Sequence, residues 1–156
     1  MMANDITIRL HRASDRNDIL NLLRLNTPDY FSPDEEQDLL YYLDDHSDHY
    51  YVVETDNVIQ GCGGFNVMVD GLTVRLSWDI IHPQSQGKGL GSALTKFRIQ
   101  QIQQLVGVKT IEVRTSQFVY PFYERFGFEL REIVKDYWAA GFDLYRLDRA
   151  VRSVNP

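Results

Sequence analysis

The most informative segment of this chain of 156 residues lies past its middle and reads Gln86-Gly87-Lys88-Gly89-Leu90-Gly91-Ser92. It falls between a predicted strand and a predicted helix. Glycine lets a backbone approach an anion without interference from a Cβ atom. The first turn of a helix adds amide groups that have no intrahelical acceptor, together with the positive end of the helix dipole. The stretch therefore predicts a phosphate-binding loop.

Two common phosphate-binding motifs do not fit this loop. A Walker loop requires Ser or Thr directly after its Gly-Lys pair, but Lys88 is followed by glycine. The dinucleotide fingerprint requires a third glycine at its sixth position. Counted from Gly87 that position is Ser92, and counted from Gly89 it is Leu94. Neither motif explains the glycine spacing.

Hydrophobic periodicity predicts the elements on either side of the loop. Strands are expected at 6–10, 50–54, 58–69, 72–81, 110–115, 128–135 and 142–149, and helices after 15 or 18, after 32, at 89–106 and at 118–126. Asp70-Gly71 predicts a two-residue hairpin turn with positive φ at both residues. The order β-α-α-β-β-β-α-β-α-β-β predicts an α+β fold with a mixed, mostly antiparallel sheet and about four helices.

Composition and charge restrict the kind of protein. The formal net charge of −6 disfavours nucleic acid as a partner. Cys62 is the single cysteine, so no internal disulfide is expected and a reducing, cytoplasmic location is favoured. We expect no signal peptide, no membrane span and no metal site, since the acidic and histidine residues of 44–49 match no ligand spacing. One domain at 4–150 with a short tail at 151–156 is expected.

Two motifs carry a resemblance to a known family. Gln86, Gly89 and Gly91 match the pattern Arg/Gln-x-x-Gly-x-Gly/Ala, and residues 123–128 match Tyr-x-x-x-Gly-Phe. With the order of the elements, these motifs resemble the GNAT family of N-acetyltransferases along nearly the whole chain. The resemblance implies the GNAT fold, and acetyl-CoA as the co-substrate.

The resemblance also implies where acetyl-CoA binds. Backbone amides of the loop hold the pyrophosphate, and backbone groups at the end of the preceding strand pair with the pantetheine arm as an added strand does. The residues implied are Ile80, Ile81, His82, Gln86, Gly87, Lys88, Gly89, Leu90, Gly91 and Ser92. The side chain of Lys88 either adds charge near the phosphates or is a solvated lysine.

The family reaction is direct attack by an amine in a ternary complex, so Cys62 need not be a nucleophile. The departing thiolate needs a proton, and a thiol has a pKa of about 8.5. Tyr123 matches the family tyrosine that supplies this proton, and Tyr120 is the alternative. The resemblance implies that a backbone amide near Ile81 stabilises the developing oxyanion.

The general base is less well marked by the sequence. Asp79 is the first candidate, because it lies near the expected active end of its strand, beside Ser77 and His82. Glu54 and a chain of water molecules are the alternatives. Many relatives carry Asn after the strand that precedes the last short helix, and here Ser116 or Gln117 could replace its contact with CoA.

The resemblance implies that the acceptor is bound by two segments, which in this chain are rich in aromatic residues. Tyr30 and Phe31 lie in the first, and Trp138 lies in the loop between the last two strands. Aromatic faces beside carboxylates suit an ammonium group, whereas Trp138 could instead serve packing or dimerisation. The sequence thus predicts an N-acetyltransferase, monomeric or homodimeric, acting on a primary amine of a small molecule or peptide. The alternative is a catalytically idle acetyl-CoA sensor.

Overall fold

The computed structural model describes residues 5–152, which contain seven strands and four α-helices. The strands are β1 (Ile6–Leu10), β2 (Tyr50–Thr55), β3 (Val58–Val67), β4 (Thr73–Ile81), β5 (Thr110–Thr115), β6 (Glu129–Ala139) and β7 (Phe142–Ala150). The helices are α1 (Arg16–Leu25), α2 (Glu35–Asp45), α3 (Leu90–Gln103) and α4 (Tyr120–Glu124). The predicted order of elements along the chain is confirmed. No helix within the described range is long and apolar enough to cross a membrane.

The described residues form two compact units, the first comprising 5–65 and 78–98 and the second 66–77 and 99–152. In the first unit β1, β2 and β3 are antiparallel neighbours, with Ile8 opposite Val53 and Val52 opposite Cys62. Apolar side chains of α1 and α2 pack on this sheet because both helices place them at helical spacing. The core includes Ile19, Leu22, Leu23, Leu39, Val52 and Ile80.

Ser32 and Glu35 make the predicted reciprocal bonds just before α2, but the N-cap of the helix is Asp34 rather than Ser32. The Ser32 amide donates to Glu35 Oε2 at 2.7 Å, and the Asp34 amide donates to Ser32 Oγ at 3.4 Å. Both bonds satisfy amides that a helix start leaves without intrahelical acceptors. Pro33 stands where no amide donor is needed. The segment before α2 is therefore fixed by its own sequence.

The second unit contains the one parallel pair recorded among the described strands. β4 runs parallel to β5 from Thr73 opposite Thr110 to Leu76 opposite Val113. β5 is antiparallel to β7, and β7 is antiparallel to β6. The buried side chains of this unit include Val74, Leu76, Ile111, Val113, Leu144 and Leu147.

The predicted two-residue turn at Asp70-Gly71 is wrong. β3 ends at Val67 and β4 begins at Thr73, so the connection is longer. Gly71 has a φ of +69°, whereas Asp70 is outside the left-handed region. Asp70 Oδ1 accepts the amides of Leu72 and Thr73 at 2.9 and 3.0 Å. The aspartate side chain therefore takes the place of backbone pairing in the turn.

Three elements differ from their predicted lengths by three residues or more. α3 ends at Gln103 because the amides that follow bond three residues back, which tightens the chain, and Gly107 then turns with a φ of +86°. α4 is shorter than predicted, covering Tyr120–Glu124. β6 is longer, reaching Ala139.

Candidate active site

The glycine-rich loop joins β4 to α3 in the first unit. Gly87 and Gly89 have φ values of +80° and +86°, and a Cβ atom built at either would meet nothing within 4 Å. These glycines therefore serve backbone conformation rather than close packing. Residues 86–89 are exposed, whereas Leu90, the first residue of α3, is buried. The exposed loop thus leads directly into the free amides of a helix of 14 residues.

Gln60 of β3 anchors the segment that leads into this loop. The His82 amide donates to the Gln60 carbonyl at 2.8 Å, and Ser85 Oγ donates to Gln60 Oε1 at 2.9 Å. His82 Nδ1 accepts the amide of Gln84 at 3.1 Å, which caps a short turn of 3-10 helix. The base of the loop is therefore fixed by both backbone and side-chain bonds.

Asn26, at the end of α1, is a site residue that the sequence did not reveal. Its side chain is buried, and Nδ2 donates to the carbonyls of Leu22 at 2.8 Å and Ile81 at 3.0 Å. Its Oδ1 accepts Gln86 Nε2 at 3.3 Å. Asn26 therefore connects helix α1 with the end of β4 and with the first residue of the loop.

Trp78 of β4 has a φ of +52°, which is rare for a bulky side chain. Tyr50 Oη donates to its carbonyl at 2.8 Å and helps to hold this conformation. The Trp78 ring stacks on Phe31, with centroids 6.2 Å apart and planes at 18°. Phe31, which the sequence placed at the acceptor site, is thus brought to β4, and Tyr30 beside it is exposed.

Asp79, the first candidate for the general base, is bound by Arg98 of α3. The Asp79 Oδ2 to Arg98 Nη2 distance is 2.6 Å, and Asp79 Oδ1 accepts Arg98 Nη1. Arg98 is completely buried and also donates to the Gly64 carbonyl at 3.0 Å. The sequence did not reveal the role of Arg98, although this residue lies four positions after Leu94 on the buried face of α3.

The other candidate bases also have partners. Glu54 Oε1 accepts Arg9 Nε at 2.7 Å in the first unit. Ser77 Oγ donates to Asn66 Oδ1 at 2.6 Å in the second unit. Both side chains therefore stabilise local structure, whether or not they also act in catalysis.

Cys62 is fully buried in β3, and burial raises the pKa of its thiol to about 12. A thiol with this pKa stays protonated at neutral pH. Cys62 therefore lacks the thiolate that a nucleophilic cysteine needs.

Tyr123 lies on α4 in the second unit and is only 3% exposed. Its ring meets Phe122 and Phe128 edge to face, with centroids 5.1 and 5.9 Å away. Tyr120, the alternative acid, packs its ring 4.5 Å from that of Tyr145. Both tyrosines are thus oriented by neighbouring aromatic rings.

Trp138, which the sequence placed in the loop between the last two strands, lies instead within β6, where β5 holds it. Its Nε1 donates to the Thr115 carbonyl at 3.1 Å, and the Arg114 guanidinium lies 5.6 Å from its ring centroid. The same guanidinium lies 4.9 Å from the ring of Tyr137. These contacts give Trp138 a packing role within the second unit.

Gln117 fixes the loop between β6 and β7. Its Nε2 donates to the Gly141 carbonyl at 2.8 Å, and its Oε1 accepts the Asp143 amide at 2.9 Å. Ser116, its neighbour, is buried and accepts the Phe118 amide at 3.3 Å. The Gln117 side chain therefore bonds the loop through both its amide nitrogen and its oxygen. The sequence spacing did not predict these two bonds.

A family model supplies the decisive comparison, because the acetyltransferase (GNAT) family model matches residues 17–128. The chain belongs to the GNAT acetyltransferase family. Its seven mostly antiparallel strands and four helices, counted over residues 5–152, form the GNAT fold. No curated protein sequence matches the chain.

Solved structures support the GNAT fold. A protein assigned to the GNAT family from Desulfovibrio desulfuricans is 22% identical with a TM-score of 0.80, covering 95% of this chain and 100% of its own. The ribosomal-protein-S18-alanine N-acetyltransferase from Escherichia coli is 17% identical with a TM-score of 0.77, covering 97% of both chains. An aminoglycoside 6'-N-acetyltransferase complexed with coenzyme A is 13% identical with a TM-score of 0.76, covering 96% of this chain and 99% of its own.

Within the first unit of this GNAT chain, the loop and the end of β4 are brought together with two side chains from elsewhere. Gln86 is joined to Ile81 through Asn26, and His82 is joined to Ser85 through Gln60. Among residues 5–152 no group of three His, Cys, Asp or Glu side chains could hold a metal ion.

Proposed function

We propose that this GNAT chain transfers an acetyl group from acetyl-CoA to a primary amine of a small molecule or peptide. The observation that carries the proposal is the exposed loop in which Gly87 and Gly89 adopt positive φ directly before the start of α3. Such a loop presents backbone amides to an anion where a helix dipole also favours negative charge. The similar aminoglycoside 6'-N-acetyltransferase was solved in complex with coenzyme A, which supports a coenzyme A thioester as the donor here.

In this proposal the amides from Gln86 to Ser92 hold the pyrophosphate, and Lys88 adds a positive charge beside it. Lys88 is exposed, so its charge costs no desolvation before the ligand binds. Backbone groups at Ile80, Ile81 and His82 hold the pantetheine arm. The peptide between Ile81 and His82 is held in place, because Asn26 bonds its carbonyl and Gln60 takes its amide proton. The Ile81 carbonyl keeps a second lone pair that can accept from the arm.

The proposed chemistry is direct attack of a neutral amine on the acetyl carbonyl. The Ile81 amide donates to the carbonyl oxygen as negative charge develops, and Tyr123 protonates the departing thiolate. The match of residues 123–128 to the family motif supports the choice of Tyr123. The high pKa of Cys62 supports transfer without an acyl-enzyme.

Asp79 remains the proposed base, with water molecules as the competing route. As a base, Asp79 must accept a proton while it holds the Arg98 guanidinium. The acceptor is proposed to lie against Tyr30 and Phe31, with Trp138 as a further candidate. A cytoplasmic location and a homodimer stay predictions from the sequence.

The test is acetyl-CoA consumption in the presence of amines, amino acids, polyamines and peptide N-termini, with the Tyr123→Phe variant alongside. We expect one acceptor class to drive consumption, and Tyr123→Phe to lower kcat about 10²-fold or more while CoA affinity is kept. Tight CoA binding without consumption across all acceptors would instead establish the sensor function. Equal kcat in both proteins would remove Tyr123 from the mechanism.

A further inference from the structure

The backbone and side chain of Asn26 bond to segments on both sides of the proposed reaction. The Asn26 carbonyl accepts the amides of Tyr30 at 2.9 Å and Phe31 at 3.3 Å, in the segment proposed to meet the acceptor. The side chain of the same residue bonds Ile81 and Gln86, in the segments proposed to hold acetyl-CoA. One residue therefore contacts both proposed binding segments directly.

The Asn26 side chain makes three hydrogen bonds in a buried setting. It is only 2% exposed, its Nδ2 donates twice and its Oδ1 accepts once. A buried amide that lacks partners is costly, so each bond constrains where the others can go. An end-of-helix bond alone would need only the Leu22 carbonyl, which is four residues away. The bonds to Ile81 and Gln86 reach 55 and 60 residues along the chain.

We propose that Asn26 is a positioning residue that couples occupancy of the phosphate-binding loop to the order of Tyr30 and Phe31, and so couples acetyl-CoA binding to acceptor binding. This inference rests on the proposed function for its ligands. The proposed mechanism is a chain of hydrogen bonds. When a pyrophosphate orders the loop, Gln86 holds the Asn26 side chain in place, and the Asn26 carbonyl then holds the amides of Tyr30 and Phe31. Coupling between two sites needs such an element that both ligands favour in one arrangement.

The decisive variant is Asn26→Asp, which preserves the size of the side chain. Aspartate replaces the Nδ2 donor by an oxygen, which then faces the carbonyls of Leu22 and Ile81 without a proton to donate. The matched control is Thr27→Val. Thr27 Oγ1 donates to the Leu23 carbonyl at 2.8 Å, so this change removes a bond from the same helix end but none to β4 or the loop.

Hydrogen exchange of the intact protein, with and without CoA, gives a readout that does not depend on turnover. In the parent and in Thr27→Val, CoA should slow exchange at residues 86–92 and also at the amides of Tyr30 and Phe31. In Asn26→Asp, CoA should slow exchange at 86–92 alone.

Turnover assays give a second readout. In the parent, the KM for the acceptor should fall when acetyl-CoA is saturating. Asn26→Asp should abolish this dependence, while Thr27→Val keeps it. The proposal would be overturned if CoA still slowed exchange at Tyr30 and Phe31 in Asn26→Asp, or if it no longer did so in Thr27→Val.

A second variant keeps the inference testable if Asn26→Asp does not fold or if the parent binds no CoA. Gln86 is exposed, so Gln86→Met removes its bond to Asn26 with little risk to the fold. In ligand-free protein, exchange at Tyr30 and Phe31 should then quicken about three- to tenfold, as expected for one lost hydrogen bond. Unchanged exchange there would refute the coupling. Failure of the parent to bind CoA, with faster exchange in Gln86→Met, would reject the proposed function while leaving the coupling intact.

Discussion

Asp79 of β4 and Arg98 of α3 form a two-pronged ion pair, with Oδ2 2.6 Å from Nη2 and the second carboxylate oxygen accepting Nη1. Arg98 also donates to the Gly64 carbonyl of β3. The pair therefore joins two strands and one helix in the first unit. Removal of one partner from such a pair leaves the other charge buried, and this is more damaging than loss of an exposed pair.

The first prediction is that Asp79→Asn lowers the free energy of unfolding by about 3 kcal/mol at neutral pH. Urea denaturation of the parent and the variant measures this difference. Glu112→Gln is the control, because its partner Arg75 is far more exposed than Arg98 and the pair should contribute about 1 kcal/mol or less. An Asp79→Asn loss no larger than that of Glu112→Gln would contradict a stabilising role for the pair.

Arg98→Lys separates the two roles proposed for Asp79. The variant keeps the positive charge at position 98 and the Asp79 carboxylate. It loses the two parallel hydrogen bonds that a guanidinium can donate to a carboxylate. If Asp79 is the base, kcat should fall far more in Asp79→Asn than in Arg98→Lys. If Asp79 acts only by holding Arg98, kcat should fall to a similar extent in the two variants, and the fall in kcat should follow the loss of unfolding free energy.

The second prediction concerns the pH dependence of stability at Asp15. The Arg9 guanidinium donates two bonds to this carboxylate, at 2.9 and 3.1 Å, and the Arg12 amide donates a third at 2.7 Å. These bonds lower the pKa of Asp15 below its ordinary value of 3.8. A carboxyl group whose pKa is lowered by folding stabilises the protein above its unfolded pKa and loses that contribution as the pH falls.

Asp15→Asn should therefore cost about 2 kcal/mol of unfolding free energy at pH 7. The gap between parent and variant should be full above about pH 5 and should shrink as the pH drops through the lowered pKa. Thermal or urea unfolding from pH 7 to pH 3 measures it. Asp44→Asn removes an exposed pair with Arg16 and should change stability by about 0.5 kcal/mol or less. A gap that is independent of pH would show that ionisation of Asp15 contributes nothing.

The features that the sequence predicted are those encoded by neighbouring residues. Strand and helix periodicity gave the order of the elements, and Ser32 with Glu35 gave the start of α2 through bonds across three residues. The glycine-rich loop between β4 and α3 was visible because its three glycines lie at alternate positions within one short stretch, 87, 89 and 91. Each of these signals depends on spacing along the sequence alone.

The features that were missed depend on partners that packing brings from a distance. Arg98 meets Asp79 across 19 residues, and Asn26 meets Gln86 across 60. Arg98 would be noticed as a charge on the apolar face of α3, but its partner could not be chosen among the acidic residues. The Asp70 turn was mispredicted for a different reason, since an aspartate side chain can replace backbone pairing in the same short sequence.

The third prediction separates two uses of glycine. A Cβ atom at Gly64 would lie 2.2 Å from the His49 carbonyl oxygen and 2.8 Å from Tyr50 Cα. Because these atoms belong to the backbone, neither can rotate away, so Gly64→Ala should cost about 3 kcal/mol or more. Gly71→Ala is the control. A Cβ atom at Gly71 would have open space, and only the positive φ opposes it, so the free energy of unfolding should fall by about 1 kcal/mol. Equal losses in the two variants would show that the β2–β3 approach relaxes freely.

The last prediction tests the link that Gln117 makes in the second unit. Gln117→Ala removes both its bond to the Gly141 carbonyl and its bond to the Asp143 amide. Exchange of backbone amides at 139–143 should quicken about tenfold, while the free energy of unfolding falls by about 1 kcal/mol or less, because the bonds are near the surface. Gln104→Ala, at an exposed position after α3, should change neither quantity. Exchange at 139–143 that matches the parent would show that the remaining bonds are sufficient to hold the loop. These are the bonds from the Gly141 amide to Asp136, from the Asp136 amide to Asp143 and from Trp138 to Thr115.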